Sequence, residues 1–448
     1  MNTISFDELT NKYDSHIHIF MVSGDKGKDR LSIKNMLDTK IQAQYIIPLM
    51  IVPNKDDGYH DYLKQLVEEF GLLDYEIYYI EEIQTLYPEL KNLSIFSNWD
   101  YIYLLPNYFL TILSLSIART EAIGSENLWV PWTYYDLQNI TTDVYEYINA
   151  INELAIIGTL EGHIVNIKFP ILQTDKRLNI HQPKTINTMD DNALIMFSGG
   201  LDCTVAAYIV DKLGKSISLF NVQYGQSNRY QEQYSIKKIV ADLNREKRVP
   251  FEQISLSCIP AIGGSALLRD DTTIQSDNSK LEYVPFRNTN LLNLGLIYAI
   301  KQNIKYVVTG GHHDDTLSPD NRLPYFETFQ RVLSLQNCSK EIKLYPVLLY
   351  LGGKSELIYV GNHLNVNFKN CWSCLNYIGH SEVGNNCRAC GTCGNCSTRY
   401  HAFRRVGLHD PVEYLTIPHM REEWYGWADE SDKLLEQLGI TNLTYYKE

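Results

Sequence analysis

Lysine- and arginine-rich runs are missing from this sequence, and its charge balance is acidic: 40 basic against 53 acidic residues give a formal net charge of −13. Non-specific nucleic-acid binding depends on neutralising phosphates, so a large RNA or DNA partner is not expected. A basic segment ahead of an apolar core is also missing from the first residues, MNTISFDELTNKYD, which predicts no secretory leader. Long apolar runs are scarce. The stretch from Asp100 to Arg119 encloses 18 uncharged residues, but Pro106, Asn107 and several Ser and Thr interrupt it, so it reads as a strand followed by a buried helix rather than a membrane span. These absences predict a soluble, cytoplasmic protein. With 448 residues, 44% hydrophobic and 21% charged, the chain can build real cores and is long enough for two domains.

The most informative stretch is Ala193 to Leu213, ALIMFSGGLDCTVAAYIVDKL. Ala193 to Phe197 reads as a buried strand, and Val205 to Leu213 repeats its apolar residues at helical spacing. Between them, Ser198, Gly199, Gly200, Leu201, Asp202, Cys203 and Thr204 form a strand-to-helix turn. Paired glycines let the backbone approach a ligand, so successive amide N–H groups can converge on one anion at a helix N-terminus. The turn resembles the SGGxDS signature of the pyrophosphate-loop ATPases, which split ATP into AMP and pyrophosphate. Cys203 stands in place of the last serine, and Thr204 is placed to supply the missing hydroxyl.

Further residues should meet this loop at the C-terminal ends of parallel strands, where ligands of open α/β sheets bind. They are Gln226 and Arg229 after the strand Ile217–Gln223, Arg287 and Asn288 in VPFRN, and the glycine turn Gly310-Gly311-His312-His313-Asp314-Asp315. Two His and two Asp in a row suggest a metal site, but neighbours in an extended turn diverge, and the preferred reading has His312 and Asp315 contacting substrate or magnesium. Gly263 to Lys280 is polar and is a candidate lid. Gly352-Gly353-Lys354-Ser355 resembles the end of a P-loop, but Leu348 stands where that motif needs glycine; Lys354 at a helix start remains a phosphate contact.

Of nine cysteines, six lie between Cys371 and Cys396 in CxxC spacings. Without an export signal, such clustering reads as metal ligation rather than a disulfide frame. Four thiolates close a tetrahedral zinc; an iron–sulfur cluster is the competing reading.

Strands at Tyr45–Val52, Tyr75–Ile80 and Asn127–Val130 alternate with helices at Tyr59–Phe70, Leu110–Ala118 and Val144–Ile156, as in βαβ units. The second half repeats this series: strands at Phe251–Leu256 and Tyr306–Thr309, and helices at Gln231–Leu243 and Leu291–Ile300. IKFP at 167–170 matches IKLYP at 342–346, Asn107 matches Asn288, and Asp143 matches Asp320. Residues 1–185 therefore read as a decayed copy of residues 190–448, joined by the polar linker Thr174–Asn192. Val22-Ser23-Gly24-Asp25 would be the ruined phosphate loop, so no ATP site is expected in this half. Asp14-x-His16-x-His18 suggests a hydrolase metal site, but no further ligands accompany it, and a solvated strand face is the preferred reading.

FSGGLD, YGQSNR, VPFRN, the GGHHDD turn with Pro319-Asp320-Asn321-Arg322, IKLYP with Lys354, and WSC with CGTCGNC followed by Arg399 and Ala402-Phe403 together resemble the 7-cyano-7-deazaguanine synthase (QueC) family over about residues 193–408. The resemblance implies a doubly wound parallel α/β sheet of the adenine nucleotide α-hydrolase type, and zinc held by Cys374, Cys390, Cys393 and Cys396, with Cys371 and Cys387 extra. It implies that ATP with Mg2+ adenylates 7-carboxy-7-deazaguanine, that ammonia then gives an amide, and that a second adenylation yields the nitrile. Ser198 to Thr204 would cradle pyrophosphate, Asp202 and Lys354 would be catalytic, and Gln226, Arg287, Asn288, His312, Asp315 and Asp320 would meet the substrate. Three departures stand out: Cys203, the absence of the family's Gly-Tyr between Asp315 and Pro319, and the added first half. A long chain of this kind resembles the variants in bacterial anti-phage systems such as Qat and type IV CBASS, which implies ligation of the activated deazaguanine to the N-terminal amine of a partner protein encoded alongside. A nitrile-forming synthase, a tRNA-modifying enzyme and a non-catalytic scaffold are the alternatives.

Overall fold

The computed structural model describes residues 16–96, 102, 105–172, 189–245, 248–271, 273–274, 282–315, 318–376, 383–384, 386–419 and 426–440. Most of the expected linker, part of the candidate lid, and Asp14 lie outside the described residues.

Strands and helices alternate in both halves. The first half runs β1 (His18–Met21), α1 (Lys26–Asp38), β2 (Ile46–Val52), α2 (Asp57–Phe70), β3 (Glu76–Tyr79), α3 (Tyr108–Ala122), β4 (Asn127–Trp129), α4 (Val144–Gly158) and β5 (Asn166–Lys168). The second runs β6 (Asp190–Met196), α5 (Leu201–Lys212), β7 (Ile217–Gln223), α6 (Arg229–Leu243), β8 (Phe251–Ser255), α7 (Arg287–Lys301), β9 (Ile304–Val308), α8 (Leu323–Leu335) and β10 (Lys343–Tyr345), followed by α9 (Lys354–His363), α10 (Gly394–Arg405) and α11 (Ser431–Leu438). Each half forms one five-stranded parallel sheet, in the orders β3-β2-β1-β4-β5 and β8-β7-β6-β9-β10. The two orders are the same, so the expected doubly wound fold occurs twice. IKFP and IKLYP both fall on the last, edge strand. Strands buried on both faces carry unbroken apolar runs, as in β2 (IIPLMIV), buried at all seven positions. Among the described residues, no helix is long and apolar enough to cross a membrane.

Strand order reverses beside β1 and beside β6, and such switch points open a crevice at the strand ends. In the first half that crevice is filled from within. Asp29, fully buried on α1, accepts from the Ser23 amide at 2.9 Å, the Ser23 hydroxyl at 2.8 Å, the Gly24 amide at 3.2 Å and the Tyr62 hydroxyl at 3.0 Å. A carboxylate of the chain itself thus takes the donors that a phosphate would take, and burial raises its pKa to about 6. Ile95 packs against Gly24, which sits at φ +91°.

The halves meet through α3 on α7 and α4 on α8. Asn107 Nδ2 donates to the backbone oxygen of Asn293 at 3.1 Å, Asn293 Nδ2 donates to Ser114 Oγ at 2.9 Å, and Ser114 Oγ donates to Asn290 Oδ1 at 2.7 Å. Helix α3 is entered through Asn107 at φ +61° and α7 through Phe286 at φ +47°; α4 is capped by Asp143 and α8 by Arg322. The matches of Asn107 to Asn288 and of Asp143 to Asp320 are therefore each two residues out of step. Gly158 lets α4 close on the second half, since a Cβ there would stand 2.5 Å from the Phe286 ring and 3.0 Å from the Tyr325 ring. Gly158→Ala should cost about 1–3 kcal/mol, read as a lower midpoint in thermal or denaturant unfolding.

Candidate active site

Phe197 ends the ladder of β6 by donating its amide to the Phe220 carbonyl at 2.8 Å, and the chain turns at once. Gly199 adopts φ +77°, where a Cβ would stand 2.9 Å from the Ile236 side chain and 3.1 Å from the Glu232 carbonyl, so both backbone strain and space require glycine. Helix α5 starts at Leu201, so the turn is shorter than the sequence suggests, and Leu201 to Thr204 already form the first helical turn. The first amides of a helix have no partner within it and carry its positive end. Asp202 and Cys203 line the cavity above them together with Ser198 and Gly200, while Leu201 is buried in the core. The Thr204 hydroxyl turns back to the Gly200 carbonyl at 2.6 Å and does not line the cavity. It therefore does not stand in for the missing serine; Cys203 does, with its sulfur 3.4 Å from the Ser198 amide.

Lys354, the first residue of α9, is 4% exposed and pairs its ammonium with Asp202 Oδ1. Its backbone amide donates to Asp314 Oδ2 at 2.7 Å, which fixes the helix start. His312 Nδ1 accepts the Asp314 amide at 3.2 Å, so a ring proton belongs on Nε2, which lies 3.7 Å from Asp202 and 3.6 Å from Asp315. Burial acts to raise the Asp202 carboxyl, but the Lys354 ammonium and the His312 ring prevail and hold it below the usual carboxylate range. Asn321 holds Asp315 Oδ2 at 2.6 Å.

Around this cluster lies a cavity of about 790 Å³, also lined by Tyr224, Gln226, Glu232, Glu282, Arg287 and Asn288. The Arg287 guanidinium reaches the Tyr224 hydroxyl at 3.4 Å. Gln226 and Asn228 donate to the two oxygens of Glu232 at 2.7 and 3.1 Å, and burial raises that carboxyl. Two other expectations are placed elsewhere. Asp320 does not line the cavity: it is 1% exposed and spends its oxygens on the Asn288 amide at 2.8 Å and side chain at 3.1 Å. Arg229 turns outward to Asp270 at 2.6 Å. The buried Asn228 Oδ1 and Thr309 Oγ1, both on lining residues, have no hydrogen-bond partner among the described residues. Unsatisfied polar atoms in a roomy cavity fit a polar ligand. Glu232, Glu282, Tyr224 and Asn228 were not among the expected site residues; Tyr224 and Asn228 lie within YGQSNR, and only closeness to that motif and to VPFRN could have marked Glu232 and Glu282.

The sulfurs of Cys374, Cys390, Cys393 and Cys396 lie within 4.8 Å of one another, with Cys390 and Cys396 at 3.8 Å. Sulfurs at about 2.3 Å from a tetrahedral zinc stand roughly 3.8 Å apart, so the four fit that metal. Cys371 lies outside the cluster, near the phosphate loop, its thiol pushed up to about 12 by burial. Arg399, 2% exposed, donates to the Cys371 and Phe368 carbonyls at 2.6 and 2.9 Å and pairs with Asp410 at 2.9 Å. It anchors the extended segment whose Trp372 amide donates to the Gly199 carbonyl at 3.1 Å.

The family model for queuosine biosynthesis protein QueC matches residues 192–407, which contain the phosphate loop, the thiolate cluster and, His419 apart, the lining of the cavity. A 7-cyano-7-deazaguanine synthase of Haloarcula marismortui is 32% identical over 243 residues, 52% of this chain and 100% of the relative. One of Chlorobium chlorochromatii is 30% identical over 51% of this chain and 97% of its own length, and one of Methanospirillum hungatei is 29% identical over 50% and 99%. Since relatives at this identity are spanned almost end to end, the chain belongs to the QueC family, in a form about twice their length.

Proposed function

We propose that the protein adenylates the carboxylate of 7-carboxy-7-deazaguanine with ATP and passes the acyl group to an amine, giving an amide, and that the amine is the N-terminus of a partner protein encoded alongside. The observation that carries this reading is the buried Lys354 ammonium paired with the half-buried Asp202 beside the start of α5, in a cavity large enough for a nucleotide and a base. A substrate carboxylate oxygen attacks the α-phosphorus, the bond to the β-phosphate breaks, and pyrophosphate leaves. The amine then attacks the acyl carbon, the C–O bond to AMP breaks, and the ammonium proton is lost to a cavity carboxylate or water.

The backbone from Ser198 to Cys203 would hold the β- and γ-phosphates, and Lys354 would neutralise the charge that builds on the departing pyrophosphate. Mg2+ would share that charge, with Asp202 as the acceptor nearest the loop. Arg287 would bind the substrate acid by its planar fork. Glu232 and Asp315 present acceptors to the N–H edge of a deazaguanine. Zinc, held by the four cysteines, would be structural, because a closed four-thiolate site leaves no open position.

The domain division at 1–185 and 190–448 belongs to this proposal, the first part being a copy without a nucleotide site. The relatives' name, 7-cyano-7-deazaguanine synthase, favours a second reading, in which ammonia is the acceptor and a nitrile the product. Incubation with ATP, magnesium, the acid and either ammonia or the partner should release pyrophosphate and AMP in equal amounts, and product mass separates the two readings. No pyrophosphate with any acceptor would end both.

A further inference from the structure

Among the described residues, the first half reaches the cavity-lining Tyr283 hydroxyl through the Glu121 carboxyl and, at 3.4 Å, the Gly158 carbonyl. Glu121, on α3, is 3% exposed. Its Oε1 accepts the Leu160 amide at 2.8 Å, and both of its oxygens lie 3.0 Å from the hydroxyl of Tyr283. That hydroxyl donates to Glu121 and in turn accepts the Phe286 amide at 3.1 Å. Burial raises the Glu121 carboxyl to about 8.

What this chain of bonds holds is unusual. Phe286 sits at φ +47°, a left-handed conformation that costs a non-glycine residue about 1–3 kcal/mol and persists only where its surroundings over-determine it. Here they do so from both halves. The Tyr283 hydroxyl takes the Phe286 amide, and the ring packs on Gly158 of α4. The strained residue is the N-cap of α7, so its conformation sets where the next residue, Arg287, enters the cavity. Tyr283 and Glu282 line the same wall.

We infer that Glu121 is a positioning residue of the active site: acting through Tyr283, it fixes the strained turn at Phe286 and so the place of Arg287 against the substrate acid. The added half is then part of the acid-binding machinery rather than a separate module. The inference rests on the adenylation reading, and it separates the acid side of the cavity from the phosphate loop, which Glu121 does not touch.

Glu121→Ala in the full chain should raise KM for the acid about tenfold or more, as expected when a positioned group drifts, while ATP affinity by calorimetry stays at the wild-type value. Glu121→Gln keeps an acceptor oxygen and should restore most of the loss. Tyr283→Phe should match Glu121→Ala, and the double variant should be no worse than either alone. Arg331→Ala, which removes the exposed inter-half pairs to Glu146 and Glu153 at 2.9 and 2.7 Å, should change neither constant. Hydrogen exchange of residues 283–288 without any substrate should speed up in Glu121→Ala and not in Arg331→Ala. Equal losses of ATP and acid affinity, the same effect from Arg331→Ala, or unchanged KM and exchange in Glu121→Ala would overturn the inference. A wild-type protein that releases no pyrophosphate would instead sink the adenylation reading, and the exchange experiment would still stand.

Discussion

Asp202→Ala is expected to lower AMP formation by about 10²–10³, the usual loss when a preorganised charge is removed from a transition state, while ATP still binds. The two effects part for an electrostatic reason. Asp202 is the anion against the buried Lys354 ammonium, so its loss leaves that ammonium uncompensated and free to grip phosphate. Nucleotide affinity should hold or rise, and turnover should collapse because the proposed acceptor for magnesium has gone. Lys354→Met should do the reverse to binding, weakening ATP because the cavity then keeps Asp202 without its cation. Calorimetry with ATP beside a pyrophosphate-release assay reads both. Equal activity in Asp202→Ala and wild type would mean that the cavity does not do this chemistry.

Cys393→Ser should strip the metal and lower the unfolding midpoint by roughly 10 °C or more, since structural zinc contributes many kcal/mol to folding. Helix α10 starts one residue after Cys393, and its first amide, that of Gly394, donates to the cavity-lining Glu282 at 3.3 Å. From the same helix, Ser397 and Thr398 line the cavity and Arg399 anchors the Cys371–Trp372 segment against Gly199. Loss of the metal should therefore abolish activity along with stability. Cys371→Ser should keep full metal content by elemental analysis, because that thiol lies outside the cluster.

The repeated series of strands and helices was readable because β2 carries an unbroken apolar run, IIPLMIV, and α2, α6 and α7 keep a helical period, whereas β7, ISLFNVQ, was marked by its place in the series. The stretch 18–38 was hidden: β1 spans four residues, and α1 is dominated by Lys, Asp and Arg with few apolar positions. Within the site, residues supplied by local motifs were legible, as with Ser198, Asp202 and Lys354. Asp320 was read as a ligand because a carboxylate in a motif invites that role, yet its neighbour Asn288 takes both oxygens, a pairing 32 residues apart that no local pattern encodes. Thr204 failed for a different reason. One step along a helix turns a side chain by about 100°, enough to swing its hydroxyl from the cavity to the Gly200 carbonyl. Glu121 could not be seen at all, since its meaning lies in a contact between halves 162 residues apart.

Asp29 in the first half has one more consequence. A loop whose amides are already engaged by its own Asp29 carboxylate has little to offer an incoming anion, so added nucleotide should leave hydrogen exchange over residues 22–29 unchanged.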